Sequence, residues 1–206
     1  MRTALVIGAT GLVGSHLVEQ LAKDDYYSKI VILSRRTLQY LHPKKVVHVI
    51  DFDHPDPSVV KGDHVFCAIG TTIKKAGSKE NQYRIDCEYP SRLAEIARKN
   101  GAEKFILVSS IGADPKSGNF YLRTKGQLEE KLKQLGYPGL VILRPSIILG
   151  KRKEFRLGEK MGIVLLKTLN PLMIGSLRKY KGVNASDIAV KMIMEAKSTI
   201  GGFKLL

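Results

Sequence analysis

The chain has 206 residues, of which 44% are hydrophobic and 26% are charged, the size and composition of one globular domain. Neither the number nor the spacing of its two cysteines, Cys67 and Cys87, indicates a disulfide framework or a metal site. These features exclude a disulfide-stapled secreted domain, so a reduced intracellular setting and no bound metal are expected.

The formal net charge of +15 would suit binding of nucleic acid, of an anionic membrane or of a phosphate-bearing ligand. The excess is uneven, because residues 151–181 contain nine basic and two acidic side chains. The sequence has no zinc-finger, helix-turn-helix or RNP-type signature and no alternation of basic and aromatic residues. We therefore expect most lysines to be solvated and some to serve phosphate binding. Binding of nucleic acid or of an anionic membrane through residues 151–181 is a weaker alternative that the charge leaves open.

The N-terminal stretch "MRTALVIGATGLVG" contains a short apolar run that leads directly into a glycine-rich turn. This pattern predicts a first β-strand and not a secretory signal, which needs a longer apolar region and a small-residue cleavage site. No apolar stretch reaches the roughly 18 residues that a membrane-spanning helix requires. A cytoplasmic location is the resulting expectation.

Six short segments rich in β-branched residues are almost uniformly apolar, and they lie at 3–8, 29–34, 45–50, 63–70, 104–110 and 139–145. Helical patterns occupy 14–23, 89–100 and 121–136. Strands this apolar are buried on both faces, which is typical of a parallel sheet flanked by helices. The pattern predicts the α/β fold class with a doubly wound parallel sheet.

No linker or internal repeat divides the sequence, so a single domain over residues 1–206 is predicted. The alternation of strands and helices fades after residue 150, and residues 151–180 are expected to form a small appended segment on the substrate side. Residues 180–196 then supply a last strand and helix.

The first predicted strand runs into "GATGLVG", which places glycines at positions 8, 11 and 14. Such glycines permit a tight turn, let the backbone approach a pyrophosphate and let the helix pack closely on the strand. The helix N-terminus then offers N–H groups and a positive dipole end to the phosphates. The turn predicts a Rossmann-type dinucleotide site, although a purely structural turn is the alternative. Its predicted cofactor-binding residues are Gly8, Thr10, Gly11, Leu12, Val13 and Gly14.

The second predicted strand ends in Ser34, Arg35 and Arg36, where an NAD site usually has an acidic residue for the ribose 2′-hydroxyl. Guanidinium groups can instead hold a 2′-phosphate, so NADP(H) is favoured and NAD(H) is the alternative cofactor. The same arginines could also simply face solvent. After the third strand, Asp51 or Phe52 is expected to meet the adenine edge.

Further candidates lie where the fourth and fifth strands end, because doubly wound sheets bind ligands at the carboxyl ends of their strands. Ile69, Gly70 and Thr71 follow the fourth strand, and Ser109 and Ser110 follow the fifth. Ile69, Gly70, Thr71 and Ser109 are predicted to line the cofactor site. A serine of the pair is also predicted to hold the substrate oxygen, although serines there could instead only satisfy backbone groups at the start of the loop.

Tyr121 opens a helix that also carries Lys125, so the two side chains project from one helix face. A lysine cation favours the phenolate form of tyrosine, and the tyrosine can protonate a carbonyl oxygen as hydride arrives. The spacing alone is weak, because Tyr40 and Lys44 repeat it with Pro43 between them. The pair follows a strand-end serine pair, and this context makes the motif specific. We predict that Tyr121 and Lys125 are active-site residues that also contact the cofactor, Lys125 through the ribose hydroxyls.

Four segments, "GATGLVG", "LVSSIGA", "YLRTK" and "LRPSIILG", follow one another in this order. The chain thereby resembles the short-chain dehydrogenase/reductase superfamily in its extended or atypical branch. Through "FCAIGTTIKKAG", "RIDCEYP" and "NFYLRTKGQLE" it is more narrowly similar to the Tat-interacting-protein-like oxidoreductases and their bacterial relatives.

The resemblance implies that the three glycines meet the pyrophosphate and that Arg35 and Arg36 meet the 2′-phosphate. It also implies a catalytic triad of Ser110, Tyr121 and Lys125, in which Ser110 is preferred over Ser109 by analogy with sugar-nucleotide epimerases. By the same resemblance, the nicotinamide amide contacts the backbone at Pro145, Ser146 and Ile147.

Members of the extended branch devote a hundred or more further residues to a sugar-nucleotide substrate, whereas only 151–180 are available here. We therefore expect an NADPH-dependent oxidoreductase acting on a small carbonyl compound. An NADP(H)-binding regulatory or scaffold protein with little turnover is the alternative, since some members of this branch are assigned such roles. The substrate's identity and the oligomeric state stay open, a homodimer included.

Overall fold

The computed structural model describes residues 1–39, 42–150, 182–199 and 201–206. The appended segment predicted for 151–180, the basic stretch 151–181 and Tyr40 lie outside the described residues. Within the described residues, no helix is long and apolar enough to cross a membrane.

Nine β-strands occur in the described part of the chain. They are Arg2–Ile7 (β1), Tyr27–Ser34 (β2), Lys45–Val49 (β3), His64–Cys67 (β4), Lys104–Val108 (β5), Gly139–Leu143 (β6), Ile148–Leu149 (β7), Val183–Asn184 (β8) and Gly202–Leu205 (β9). Seven of them form one parallel sheet in the order β3-β2-β1-β4-β5-β6-β9, and β7 pairs with β8 in a short parallel ladder. The predicted doubly wound α/β fold is thus confirmed.

Some boundaries differ from the predicted ones for a physical reason. The strands predicted over 63–70 and 104–110 end at Cys67 and Val108, because the residues beyond them leave the ladder to form loops at the carboxyl edge. The sequence predicts neither β7 nor β9, because β7 has only two residues and β9 is largely exposed.

The helices are Leu12–Lys23 (α1), Ile73–Ala76 (α2), Lys79–Tyr83 (α3), Tyr89–Lys99 (α4), Phe120–Gln134 (α5) and Ala185–Lys197 (α6), with a 3₁₀ turn at Pro57–Val59. A π-helical turn, Arg84–Glu88, joins α3 to α4. The Tyr89 N–H donates to the Arg84 carbonyl five residues earlier, and Pro90 has no N–H to donate to the preceding turn. The Cys87 carbonyl also accepts from the Ser91 hydroxyl at 2.6 Å. The helical turn is therefore wider here by one residue, and the chain continues directly into α4.

The central strand β1 shows how the sequence places the two layers of the core. Its last four residues are fully buried, and successive side chains point to opposite faces of the sheet. Ala4 and Val6 pack in the cluster beneath α1 and α6, whereas Leu5 and Ile7 pack in the cluster beneath α4 and α5. Burial of a side chain of the size of Leu5, Val6 or Ile7 contributes about 2 kcal/mol, so the apolar strand is stabilised from both faces.

The strand order fixes the place where a ligand can bind. β1 lies between β2 and β4, and the chain crosses from one side of β1 to the other between β3 and β4. Ile7 is level with Leu33 of β2 and Cys67 of β4, so the loops after these three strands open at the same edge. This edge is the switch point at which doubly wound sheets bind ligands.

Candidate active site

The turn after β1 is built so closely that only glycine fits it. Gly8 has φ +90°, a left-handed conformation that a side chain disfavours, and a Cβ there would lie 2.7 Å from the carbonyl carbon of Ala68. A Cβ at Gly14 would overlap the carbonyl oxygen of Gly8. These approaches hold α1 against the ends of β1 and β4, as the sequence predicted for a phosphate-binding turn.

The N-terminus of α1 faces this turn without a side-chain cap, because Gly11 occupies the capping position. The Gly11 N–H donates to the Gly8 carbonyl at 3.0 Å, while Leu12 and Val13 begin the helix. The first N–H groups of a helix have no partner within it, so this end suits an anion. Thr10 is exposed on the rim, and the site as a whole fits the pyrophosphate of a dinucleotide.

Ser34, Arg35 and Arg36 lie at the neighbouring strand end. Ser34 is buried and its Oγ accepts from the Arg36 N–H at 3.3 Å, which shapes the turn, whereas both arginines are exposed. The structure thus places two guanidinium groups on the loop next to the glycine turn, where the ribose of a dinucleotide would lie.

The two candidates for the adenine edge differ in position. The Phe52 side chain is only 5% exposed and packs against the Tyr89 ring with centroids 5.5 Å apart. Asp51 is exposed, and its Oδ1 accepts from the Asp53 N–H at 2.8 Å. Because Phe52 belongs to the core, Asp51 is the member of the pair whose side chain can meet a nucleotide.

Tyr121 and Lys125 lie on one face of α5, as their spacing predicted. The Asn119 side chain caps this helix by accepting from the Leu122 N–H at 3.1 Å. Tyr121 is 36% exposed and Lys125 only 2%, and the Lys125 Nζ lies 6.0 Å from the centre of the Tyr121 ring. The same Nζ is 3.5 Å from the Ile69 carbonyl oxygen, so the ammonium lies beneath the loop that follows β4.

Gly126, next to Lys125, explains how α5 comes so close to the strand ends. A Cβ at Gly126 would overlap the backbone where Asp114 joins Pro115, so the helix packs directly on the loop after β5. The Asp114 N–H also donates to the Leu122 carbonyl at 3.2 Å. This contact fixes the loop that carries the serine pair relative to the helix that carries the tyrosine.

The charge on Lys125 depends on a residue that sequence reasoning missed. Burial is the largest single influence on the pKa of Lys125 and lowers it. The Asp86 carboxylate, together with smaller effects of Tyr121, Cys67 and Cys87, outweighs burial, so the pKa is raised above its ordinary value. Asp86 is fully buried in the π-helical turn, and its Oδ1 accepts from the Thr71 N–H at 2.7 Å. The sequence signal that could have revealed it is the acidic residue within "RIDCEYP", just before the helical pattern that begins at residue 89.

The serine pair divides into two roles. The Ser109 hydroxyl is buried and donates to the carboxylate of Glu129, which Arg144 also holds at 3.0 Å and 2.5 Å. Ser110 is half-buried, and its hydroxyl donates to the neighbouring Ile111 carbonyl at 3.3 Å. The Ser109 hydroxyl is thus held by a buried carboxylate. The Ser110 hydroxyl bonds only a neighbouring backbone carbonyl, a bond that it can exchange for one to a substrate.

The segment predicted to meet the nicotinamide lies alongside the serine loop. The Pro145 carbonyl accepts from the Ile111 N–H at 3.0 Å, and the Ile147 carbonyl accepts from the Val183 N–H at 2.8 Å. Ser146 lies half-buried between them. The segment is therefore held between the loop after β5 and the strand β8.

A family model described as "NAD dependent epimerase/dehydratase family" matches residues 4–136. The chain belongs to this family. Among curated proteins, it is 37% identical to the mitochondrial protein fmp52 of Emericella nidulans over 173 residues, which cover 77% of this chain and 72% of that protein. It is 34% identical to HTATIP2 of Rattus norvegicus over 164 residues, covering 77% of this chain and 67% of the relative. The predicted resemblance is thereby confirmed.

Among solved structures, the fold of this family member is similar to that of MoeE5 in complex with UDP-glucose and NAD. The TM-score is 0.74 at 18% identity, and the match covers 99% of this chain and 75% of MoeE5. At this identity the likeness supports the fold alone, whereas family membership supports binding of a nicotinamide dinucleotide and an oxidoreductase-type role.

The expected cytoplasmic location is wrong. Besides the relative from Emericella nidulans, those from Candida albicans, Candida glabrata and Aspergillus niger are all named mitochondrial proteins. The expectation rested on the missing secretory signal and on ordinary composition, and neither feature distinguishes between compartments inside the cell.

Proposed function

We propose that this protein is an NADP(H)-dependent oxidoreductase that transfers hydride to a small carbonyl compound. The observation that carries the proposal is the position of Tyr121 above the buried Lys125, beside the loop at the switch point of the sheet. A partly exposed phenol with a cation behind it is the arrangement that proton donation to a carbonyl requires.

In this mechanism the pyrophosphate is bound at the start of α1, and the bound NADPH supplies the hydride. Ser110 holds the carbonyl oxygen by donating a hydrogen bond to it. Tyr121 gives its phenolic proton to that oxygen as the carbonyl carbon is reduced. Lys125, kept cationic in its buried position, stabilises the phenolate that remains.

The preference for NADP(H) rests on Arg35 and Arg36, which are exposed beside the glycine turn. Charge-assisted hydrogen bonds to a 2′-phosphate are worth about 1.5–3 kcal/mol each, so NADPH should bind at least roughly tenfold more tightly than NADH. The chain contains no tryptophan, so nicotinamide fluorescence can be followed in titrations without indole emission. Replacing both arginines by glutamine should remove the preference and leave NADH binding unchanged, and tighter binding of NADH by the unmodified protein would refute the assignment.

Turnover is tested by screening aldehydes, ketones and quinones for oxidation of NADPH. On any substrate found, Tyr121→Phe should lower kcat by about 100-fold or more, since general acid catalysis supplies that much, without changing NADPH affinity. Tyr26→Phe is the matched control, because Tyr26 is 37% exposed, as Tyr121 is, but lies before β2 away from the site. Full activity of Tyr121→Phe would show the mechanism to be wrong. Tight NADPH binding without turnover on any compound would favour a regulatory role instead.

A further inference from the structure

The Asp86 carboxylate and the Lys125 ammonium border the same residue of the predicted cofactor loop. A Cβ built on Gly70 would lie 3.7 Å from the Lys125 Nζ and 4.0 Å from the Asp86 Oδ1. Both side chains are buried, at 0% and 2% exposure. A buried carboxylate and a buried ammonium are each costly alone and become tolerable when they face one another.

Asp86 also holds the loop itself, because its Oδ1 accepts from the Thr71 N–H at 2.7 Å. The π-helical turn directs both Asp86 and the next residue, Cys87, into the interior. Single π-helical turns are frequent at functional sites, where they place a side chain that a regular helix would not. One carboxylate thus meets the loop after β4 and the cation on α5.

We propose that Asp86 is a positioning residue that keeps Lys125 protonated and joins it to the loop at residues 69–71. Its contribution to catalysis rests on the proposed function, whereas its control of the lysine does not. With Asp86 in place, the cation is already balanced before the phenol of Tyr121 loses its proton. The carboxylate therefore moderates how strongly Lys125 holds a phenolate.

The other groups that face Lys125 do not replace this carboxylate. They are Tyr121 on the same helix and the thiols of Cys67 on β4 and Cys87 on the π-helical turn. Burial raises the pKa of Cys67 to about 11, so this thiol is neutral at neutral pH. Among the groups that raise the pKa of Lys125, the Asp86 carboxylate has the largest effect.

The test is a pH titration of the free protein labelled with ¹³C at the lysine ε-carbons, with the Lys125 signal assigned by its loss in Lys125→Arg. Asp86→Asn keeps an oxygen acceptor for the Thr71 N–H but removes the charge. The Lys125 signal should then titrate roughly one to three pH units lower than in the unmodified protein, because burial is no longer opposed. Glu95→Gln is the control, since Glu95 pairs with Lys99 on the exposed face of α4 and should leave the Lys125 signal unchanged.

An unchanged Lys125 titration in folded Asp86→Asn would overturn the proposal. If Asp86→Asn does not fold, the double variant Asp86→Asn with Lys125→Met should fold better, because it removes the unpaired buried cation. A double variant as unstable as the single one would equally overturn the proposal. The titration needs neither cofactor nor substrate, so a normal Asp86 effect in a protein without reductase activity would refute only the proposed function.

Discussion

Acidification from pH 7 toward pH 4 should destabilise the protein through His64, a buried histidine at the start of β4. His64 is 1% exposed, and its Nδ1 lies 2.8 Å from the hydroxyl of the fully buried Tyr27. Burial, and then the positive charges of Lys104 and Arg2, lower the pKa of His64 from 6.5 to about 4. The neutral ring is thus the form that the folded protein accommodates.

The size and sign of the effect follow from this shift in the pKa of His64. Between about pH 6.5 and pH 4 the unfolded chain binds a proton that the folded chain does not, so the free energy of unfolding falls as the pH is lowered. A difference of 2.5 pH units corresponds to about 3 kcal/mol at 1.36 kcal/mol per unit. Above pH 6.5 the penalty is absent, and below pH 4 it is complete.

Urea denaturation at several pH values between 7 and 5 measures the first part of this effect, a loss of about 2 kcal/mol over the 1.5 pH units below 6.5. This window excludes groups such as Glu195, because the hydrogen bond from Lys204 lowers the pKa of that carboxyl and its contribution is lost only at lower pH. His64→Asn, which keeps a polar atom near the Tyr27 hydroxyl but cannot titrate, should have a flatter dependence on pH. Equal slopes for His64→Asn and the unmodified protein would refute the reasoning.

Two further substitutions test the packing around the site. Gly14→Ala should abolish dinucleotide binding and lower the melting temperature, because its Cβ would overlap the backbone of Gly8, whereas Gly118→Ala should change neither, since a Cβ there meets nothing within 4 Å. Glu129→Gln should destabilise the protein by about 2 kcal/mol in urea titrations, because it leaves the partly buried Arg144 without its carboxylate, and stability equal to that of the unmodified protein would contradict this role.

The residues at strand ends could be predicted because a parallel sheet converts sequence order into position. A uniformly apolar strand such as β1 has to be buried on both faces, as in a parallel sheet covered by helices. All strands of a parallel sheet end at the same edge. The glycine turn, the two serines after β5 and the tyrosine on the next helix therefore had to meet near one crevice. Their side-chain roles were harder to predict. For the adenine edge, Asp51 and Phe52 stayed alternatives in the sequence, and only the structure shows that the Phe52 ring packs in the core while Asp51 is exposed.

The buried charges could not be read in the same way. Asp86 faces inward because a π-helical turn shifts the helical register by one residue, and a pattern read at 3.6 residues per turn does not contain that shift. Glu129 lies in a helix surface pattern, "GQLEEKL", in which either of two adjacent glutamates could be solvated. Only the position of Arg144 at the end of β6 decides that Glu129 is the buried one.

These two carboxylates explain how α5 places Tyr121. Along one face of the helix, exposure falls from 36% at Tyr121 to 2% at Lys125 and 1% at Glu129. Lys125 faces Asp86 and the loop after β4, while Glu129 binds Arg144 at the start of the segment that leads to the nicotinamide residues. Hydrogen-bonded contacts depend on direction more than apolar contacts do, so the Glu129–Arg144 ion pair and the contacts of Lys125 and Asp86 with the loop after β4 fix the helix relative to both loops. Loss of either carboxylate should therefore displace Tyr121 from the site while the sheet, which is stabilised by its own apolar layers, stays folded.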